Sequence, residues 1–96
     1  TLMPLFVMFC VDKPGALDLR MATREAHLAY MGKQSGVVKV GGPMLDDAGG
    51  MAGSMLIVDV ADKAAAVALN ANDPYTLAGL WERVDIKPFR ATVGQI

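Results

Sequence analysis

An α+β architecture is predicted for this 96-residue chain by two observations. Turn signals and hydropathy divide it into strand, helix, strand, strand, helix, strand, and the strands carry apolar residues on both sides. A four-stranded antiparallel sheet with two helices on one face satisfies that order, as in the split βαβ pattern of ferredoxin-like folds. The second face of such a sheet is left bare although its strands are apolar on both sides. Two copies packed sheet against sheet would cover it, so a homodimer is expected. The length suits one domain over residues 1–96 and is too short for two separate cores.

Each element has a local reason. Residues 4–11, PLFVMFCV, form an apolar run of β formers that ends at the turn signal DKPG. From Ala16 to about Ser35 there is no proline and one glycine, Gly32. Leu17, Met21, Leu28 and Met31 recur there at helical intervals, which predicts one apolar helix face, with Gly36 as the stop. VVKVGGPM (37–44) reads as the second strand, LDDAGGMAG as a flexible loop and SMLIVDVA (54–61) as the third strand. Asp62 is a suitable N-cap for the alanine-rich helix KAAAVALNAN, and Pro74 breaks that helix and begins another turn. VDIKPFRATV (84–93) is the fourth strand, with Pro88 marking an edge or a bulge.

Composition narrows the function classes. A net charge of −1, with basic residues spread along the chain, argues against a nucleic-acid surface. No apolar run approaches the roughly 20 residues of a membrane span. The first residues lack a basic start and a small-residue cleavage site, so they read as a strand and not a signal peptide. The single cysteine, Cys10, lies in an apolar strand, allows no intrachain disulfide and fits a reducing, cytoplasmic setting as an inert thiol. No metal site is expected: there is one His, and the pair Asp46 and Asp47 reads as a solvated turn. No phosphate loop is present.

Candidate chemistry gathers at His27, the only histidine, in TREAHLAYM. It borders the apolar stripe of its helix, with Arg24 at i−3, Arg20 at i−7 and Tyr30 at i+3 on roughly the same side. It is either a boundary residue bonded to backbone or a general base. Asp73 in NDPY is a turn and helix-cap residue, and it is also a carboxylate that this topology can bring beside His27 to fix its tautomer. The glycines of VGGPM are hairpin punctuation, or they bring backbone N–H groups near Gly42 close to a ligand oxyanion. Ser54 lacks a nucleophile-elbow context and is cast as a strand-start residue or a donor to substrate. Tyr75 is placed near the site beside Asp73. Met44 and Met51 flank the glycine-rich loop and would line an adaptable pocket.

In order, REAHLAYM, GGPM, GSMLIVDV, NDPYTLAGLW and VDIKPF resemble the YciI-like (YCII-related) family, from about residue 4 to residue 90. The resemblance implies a dimeric α+β barrel joined through its sheets and a catalytic pair at His27 and Asp73. It further implies a cofactor-independent lyase acting on a small hydroxylated aromatic, with dehydrochlorination of a chlorinated hydroxyhydroquinone as the leading activity. Arg24 would hold the substrate phenolate, N–H groups near Gly42 would face the developing oxyanion, and Tyr75 and Ser54 would position hydroxyls. Three other readings stay open on sequence: a muconolactone-isomerase-like isomerase, a non-catalytic small-ligand module, and a haem-linked enzyme with His27 as axial ligand.

Overall fold

The computed structural model describes residues 4–96. Its elements are strand β1 (Leu5–Asp12), helix α1 (Leu17–Gly32), strands β2 (Val38–Leu45) and β3 (Met51–Asp59), helices α2 (Lys63–Ala71) and α3 (Pro74–Leu77), and strand β4 (Trp81–Phe89). The four strands form one antiparallel sheet in the order β2-β3-β1-β4. The element order and the antiparallel sheet are those the sequence predicts, with the residues after Pro74 forming a third, one-turn helix.

Alternation assigns the two faces of the sheet. Phe6, Met8, Cys10 and Asp12 of β1 are buried, while Val7 and Val11 are half-buried and Phe9 is 42% exposed. The register sets Met8 opposite Leu56 and Ile86, and Cys10 opposite Ser54 and Val84, so these residues share the helix-covered face. The core there consists of Phe6, Met8, Cys10, Leu56, Val58, Val60 and Ala66, with Met31, Leu69 and Trp81 packed against it. Val7 opposite Ile57 and Lys87, and Phe9 opposite Met55 and Asp85, belong to the other face, which none of the described helices or strands covers.

Three boundaries differ from the sequence reading. The glycine-rich loop shrinks to a short turn, because β3 already begins at Met51, which pairs with Leu45 of β2, and Gly53 pairs with both β1 and β2. Asp46 closes that turn: its Oδ1 accepts the backbone N–H of Ala48 at 3.0 Å and of Gly50 at 2.8 Å. β4 starts at Trp81, three residues earlier than expected, and ends at Phe89, so residues 90–93 are not strand.

The third difference concerns α1. Leu17, Met21 and Leu28 are about half exposed, and the buried residues of the helix are Arg20 and His27. At 100° per residue, the Arg20–His27 line is rotated by roughly 60–120° from the Leu17–Met21–Leu28 flank. The side of α1 that faces the sheet is therefore polar at its centre. Two other contacts fasten the helical layer: the Tyr30 hydroxyl donates to the Leu69 carbonyl at 2.8 Å, and the Asp62 side chain caps α2 by accepting Ala65 N–H at 2.8 Å.

Candidate active site

His27 and Asp73 come from elements 46 positions apart in the chain and meet between α1 and α3. The distance from His27 Nδ1 to Asp73 Oδ1 is 2.8 Å, with His27 8% and Asp73 1% exposed. Asp73 is also the N-cap of α3, where Pro74 occupies the first turn. The same Oδ1 accepts the Tyr75 backbone N–H at 2.9 Å. The helix cap and the contact with His27, both weighed for Asp73 on sequence, thus fall on one oxygen. A carboxylate oxygen only accepts, so the bond assigns a hydrogen to His27 Nδ1, and in the neutral ring Nε2 then carries the lone pair. Asp73 Oδ2 is buried with no partner among the described residues.

Tyr75 holds the imidazole in plane. The two rings stack with centroids 4.0 Å apart and an interplanar angle of 17°. Behind Tyr75, the Arg20 guanidinium carbon lies 4.8 Å from its ring centroid, and Trp81 meets its edge at 5.5 Å. The Trp81 indole N–H is anchored on Thr76 Oγ1 at 2.9 Å. Burial pushes the Tyr75 phenol up, partly offset by the charges of Arg20 and Arg24.

Arg20 is itself fixed by a carboxylate. Its Nε donates to Asp12 Oδ2 at 2.8 Å and its Nη2 to Asp12 Oδ1 at 3.0 Å, the bidentate geometry that a guanidinium favours. Nη2 also donates to Ser54 Oγ at 2.9 Å. Burial works against the charge of Arg20, but the hydrogen bond and the negative charge of Asp12 outweigh it and hold its pKa above the ordinary value.

A cleft of about 140 Å³ opens beside these groups, lined among others by Arg20, Arg24, His27, Ser54 and Tyr75, with Pro43 and Met51 on the strand side. Arg24 is exposed at this cleft, and Gly42 lines it on β2. All six candidate residues from the sequence, His27, Asp73, Arg24, Gly42, Ser54 and Tyr75, lie in the cleft or directly behind it. Met51 lines it as expected. Met44 does not: its Cε lies where a Cβ on Gly53 would be, on the opposite side of the sheet from Ser54. Tyr30 bonds to α2 and stays out of the cleft. Among the described residues no group of three His, Cys, Asp or Glu side chains is placed to hold a metal ion.

Sequence reasoning missed the Asp12–Arg20 pair. The signal was parity: Asp12 continues the even-numbered series Phe6, Met8, Cys10, so a strand running through it points the carboxylate inward. Arg20 lies seven residues before His27, two helical turns along the same face. A larger hollow of about 800 Å³ lies at the Leu5 end of β1, with Lys39, Asp59 and Phe89 in its lining. It contains none of the paired groups described above and adjoins the bare sheet face.

The YCII-related domain model matches residues 4–90 of the chain. Protein YciI from Escherichia coli O6:H1 is 36% identical over 94 residues, covering 90% of this chain and 96% of that protein. An uncharacterised Haemophilus influenzae protein is 34% identical over 93 residues, covering 88% and 95%. Among solved structures, 5-chloro-2-hydroxyhydroquinone dehydrochlorinase from Burkholderia phenoliruptrix AC1100, in complex with 2,5-dihydroxybenzoquinone, superposes with a TM-score of 0.83. It is 34% identical, over 90% of this chain and 93% of that one. An antibiotic biosynthesis monooxygenase shares the fold alone, at 14% identity and a TM-score of 0.57 over 95% of this chain and all of that one.

Proposed function

This chain belongs to the YCII-related domain family, and from that premise we propose that it is a cofactor-independent lyase of small hydroxylated aromatics, removing HCl from a chlorinated hydroxyhydroquinone. The observation that carries this reading is the His27–Asp73 pair at 2.8 Å, with Nε2 left as a proton acceptor beside a cleft of ring size. The likeness to a dehydrochlorinase solved with a quinone bound supports the substrate class.

The chemistry needs no external redox partner. A chlorohydroxyhydroquinone first tautomerises, moving a hydroxyl proton to the chlorine-bearing carbon and leaving a ketone beside it. His27 Nε2 then takes the proton of the hydroxyl across the ring. The electron pair shifts through the ring, a new C=C bond forms, and the C–Cl bond breaks with both electrons leaving on chloride. The products are a hydroxybenzoquinone, chloride and the proton now held by His27. Asp73 accepts the Nδ1 hydrogen throughout and stabilises the charge that develops on the ring. Arg24 draws the substrate in as its phenolate, and N–H groups near Gly42 face the oxygen that gains charge.

The bare sheet face supports assembly as a homodimer, as Val7, Phe9, Val40, Met55 and Ile57 form an apolar stripe there. Chloride release from 5-chloro-2-hydroxyhydroquinone, followed alongside quinone absorbance, tests the function. Wild-type protein is expected to accelerate it, and His27→Ala and Asp73→Asn each to lower turnover at least about tenfold with the fold retained. Asn keeps an oxygen for the α3 cap, so its effect isolates the pairing with His27. Equal rates in wild type and His27→Ala would refute the pair as the catalytic centre.

A further inference from the structure

Two buried polar residues outside the His27–Asp73 pair, Arg20 and Ser54, line the same cleft, and a third, Asp12, holds Arg20 in place. Their donor and acceptor roles are dictated by valence. A guanidinium carries only donors, so Arg20 Nη2 donates to Ser54 Oγ and the serine oxygen accepts. The Ser54 hydrogen must then point elsewhere, and among the described residues it has no acceptor. Ser54 is 4% exposed, and it lines the cleft with His27. A buried hydroxyl with one lone pair occupied by a cation and its hydrogen unclaimed is a polarised donor awaiting an acceptor.

The arrangement is rigid. Arg20 is 2% exposed and gripped at two nitrogens by Asp12, and Tyr75 and Trp81 pack against its guanidinium at 4.8 and 5.7 Å from their ring centroids. Asp12 reaches this position because the register of β1 with β4 shifts between Val11 and Asp12, setting Asp12 opposite Trp81. Ser54 stands on β3 directly opposite Cys10 of β1 and Pro43 of β2, on the helix-covered side.

We propose that Asp12, Arg20 and Ser54 form an oxyanion subsite separate from the base, in which Ser54 donates to an ionised oxygen of the aromatic substrate while Asp12 and Arg20 act as positioning residues. This deepens the lyase reading and rests on it for the identity of the ligand. The subsite selects the ionised form of a hydroxyquinone or polyphenol over its neutral form. It also holds one ring oxygen on the sheet side while His27 works from the helix side, which orients the ring between them.

Binding, and not turnover, tests it. The probes are 2,5-dihydroxybenzoquinone, ionised at neutral pH, and its neutral dimethyl ether, titrated calorimetrically into wild type, Ser54→Ala, Arg20→Lys and His27→Ala. A hydrogen bond to a charged group is worth about 1.5–3 kcal/mol, so Ser54→Ala is expected to weaken the ionised probe by about tenfold or more. The neutral ether is expected to change by less than about threefold, with the melting temperature preserved. Arg20→Lys keeps the charge but loses the fork, and is expected to reduce the preference for the ionised probe. An unchanged ratio of the two affinities in Ser54→Ala overturns the proposal. His27→Ala separates the two readings: loss of turnover with the ionised-probe preference intact supports both. Loss of turnover in His27→Ala together with an unchanged ratio in Ser54→Ala overturns the subsite alone.

Discussion

At the scale of single residues, the site is a set of buried polar groups that satisfy one another in pairs. Asp12 forms an ion pair with Arg20, and Asp73 is hydrogen-bonded to His27. Each pair sits where a purely stability-driven core would place apolar side chains, and breaking a buried ion pair such as Asp12–Arg20 from one side costs about 3–5 kcal/mol. Asp73 carries the clearest mark of a functional demand: Oδ1 serves both the cap and the imidazole, while Oδ2 stays buried and unpaired. Cys10 is the opposite case. Burial pushes its thiol up to about 12, and the Asn70 amide, 3.4 Å from its sulfur, offsets this only in part. Since the thiolate is the nucleophile, native protein is expected to resist a disulfide reagent at pH 8 and to react within the dead time once unfolded. The same shift has a sign for stability. An unfolded chain loses this proton near pH 9 and the folded one only near 12, so the folded state binds more protons between them. Stability therefore falls as pH rises from 9 to 12. Urea midpoints at pH 8 and pH 10 are expected to differ more for wild type than for Cys10→Ala, and equal differences would exclude Cys10 as the cause.

At the scale of elements, the cleft is a compromise between α1 and the edge strand β2. The helix turns its polar line inward because Arg20 and His27 have partners on β1, β3 and α3, and this pushes Leu17, Met21 and Leu28 to the flank. β2 contributes by being thin. A Cβ on Gly41 would overlap Leu56 Cδ2, a side chain that is buried and lines the cleft. Gly32, at the end of α1, has nothing within 4 Å of its added Cβ. The same substitution is thus expected to have opposite signs. Gly41→Ala should destabilise by about 1–3 kcal/mol through overpacking. Gly32→Ala should stabilise by about 0.4–1 kcal/mol by limiting the unfolded chain. Denaturant unfolding of the two variants checks this, and matching signs would show that the crowding at β2 is relieved by movement of the strand.

At the scale of the whole molecule, one face of the sheet is covered by three helices and the other by none of the described helices or strands. A dimer formed through that face would seal Phe9 and Met55 and leave the cleft on the helical side untouched. Phe9→Glu is expected to convert a species near twice the chain's 10.2 kDa into a folded monomer in light scattering, whereas a wild-type monomer would remove the sheet-to-sheet assembly. The element order and the sheet were legible in the linear pattern, because strand runs, caps and turn signals act over a few residues and are written locally. His27 and Asp73 were legible as a pair only through the ordered motifs around them, since 46 residues separate them and no local rule links them. Asp12 and Arg20 were not legible as partners: the turn signal DKPG assigns Asp12 to a turn, and no local rule links it to Arg20 on the helix. Only the tertiary structure decided that they are buried, because a charge can enter a core only where its partner, brought by another element, is already waiting.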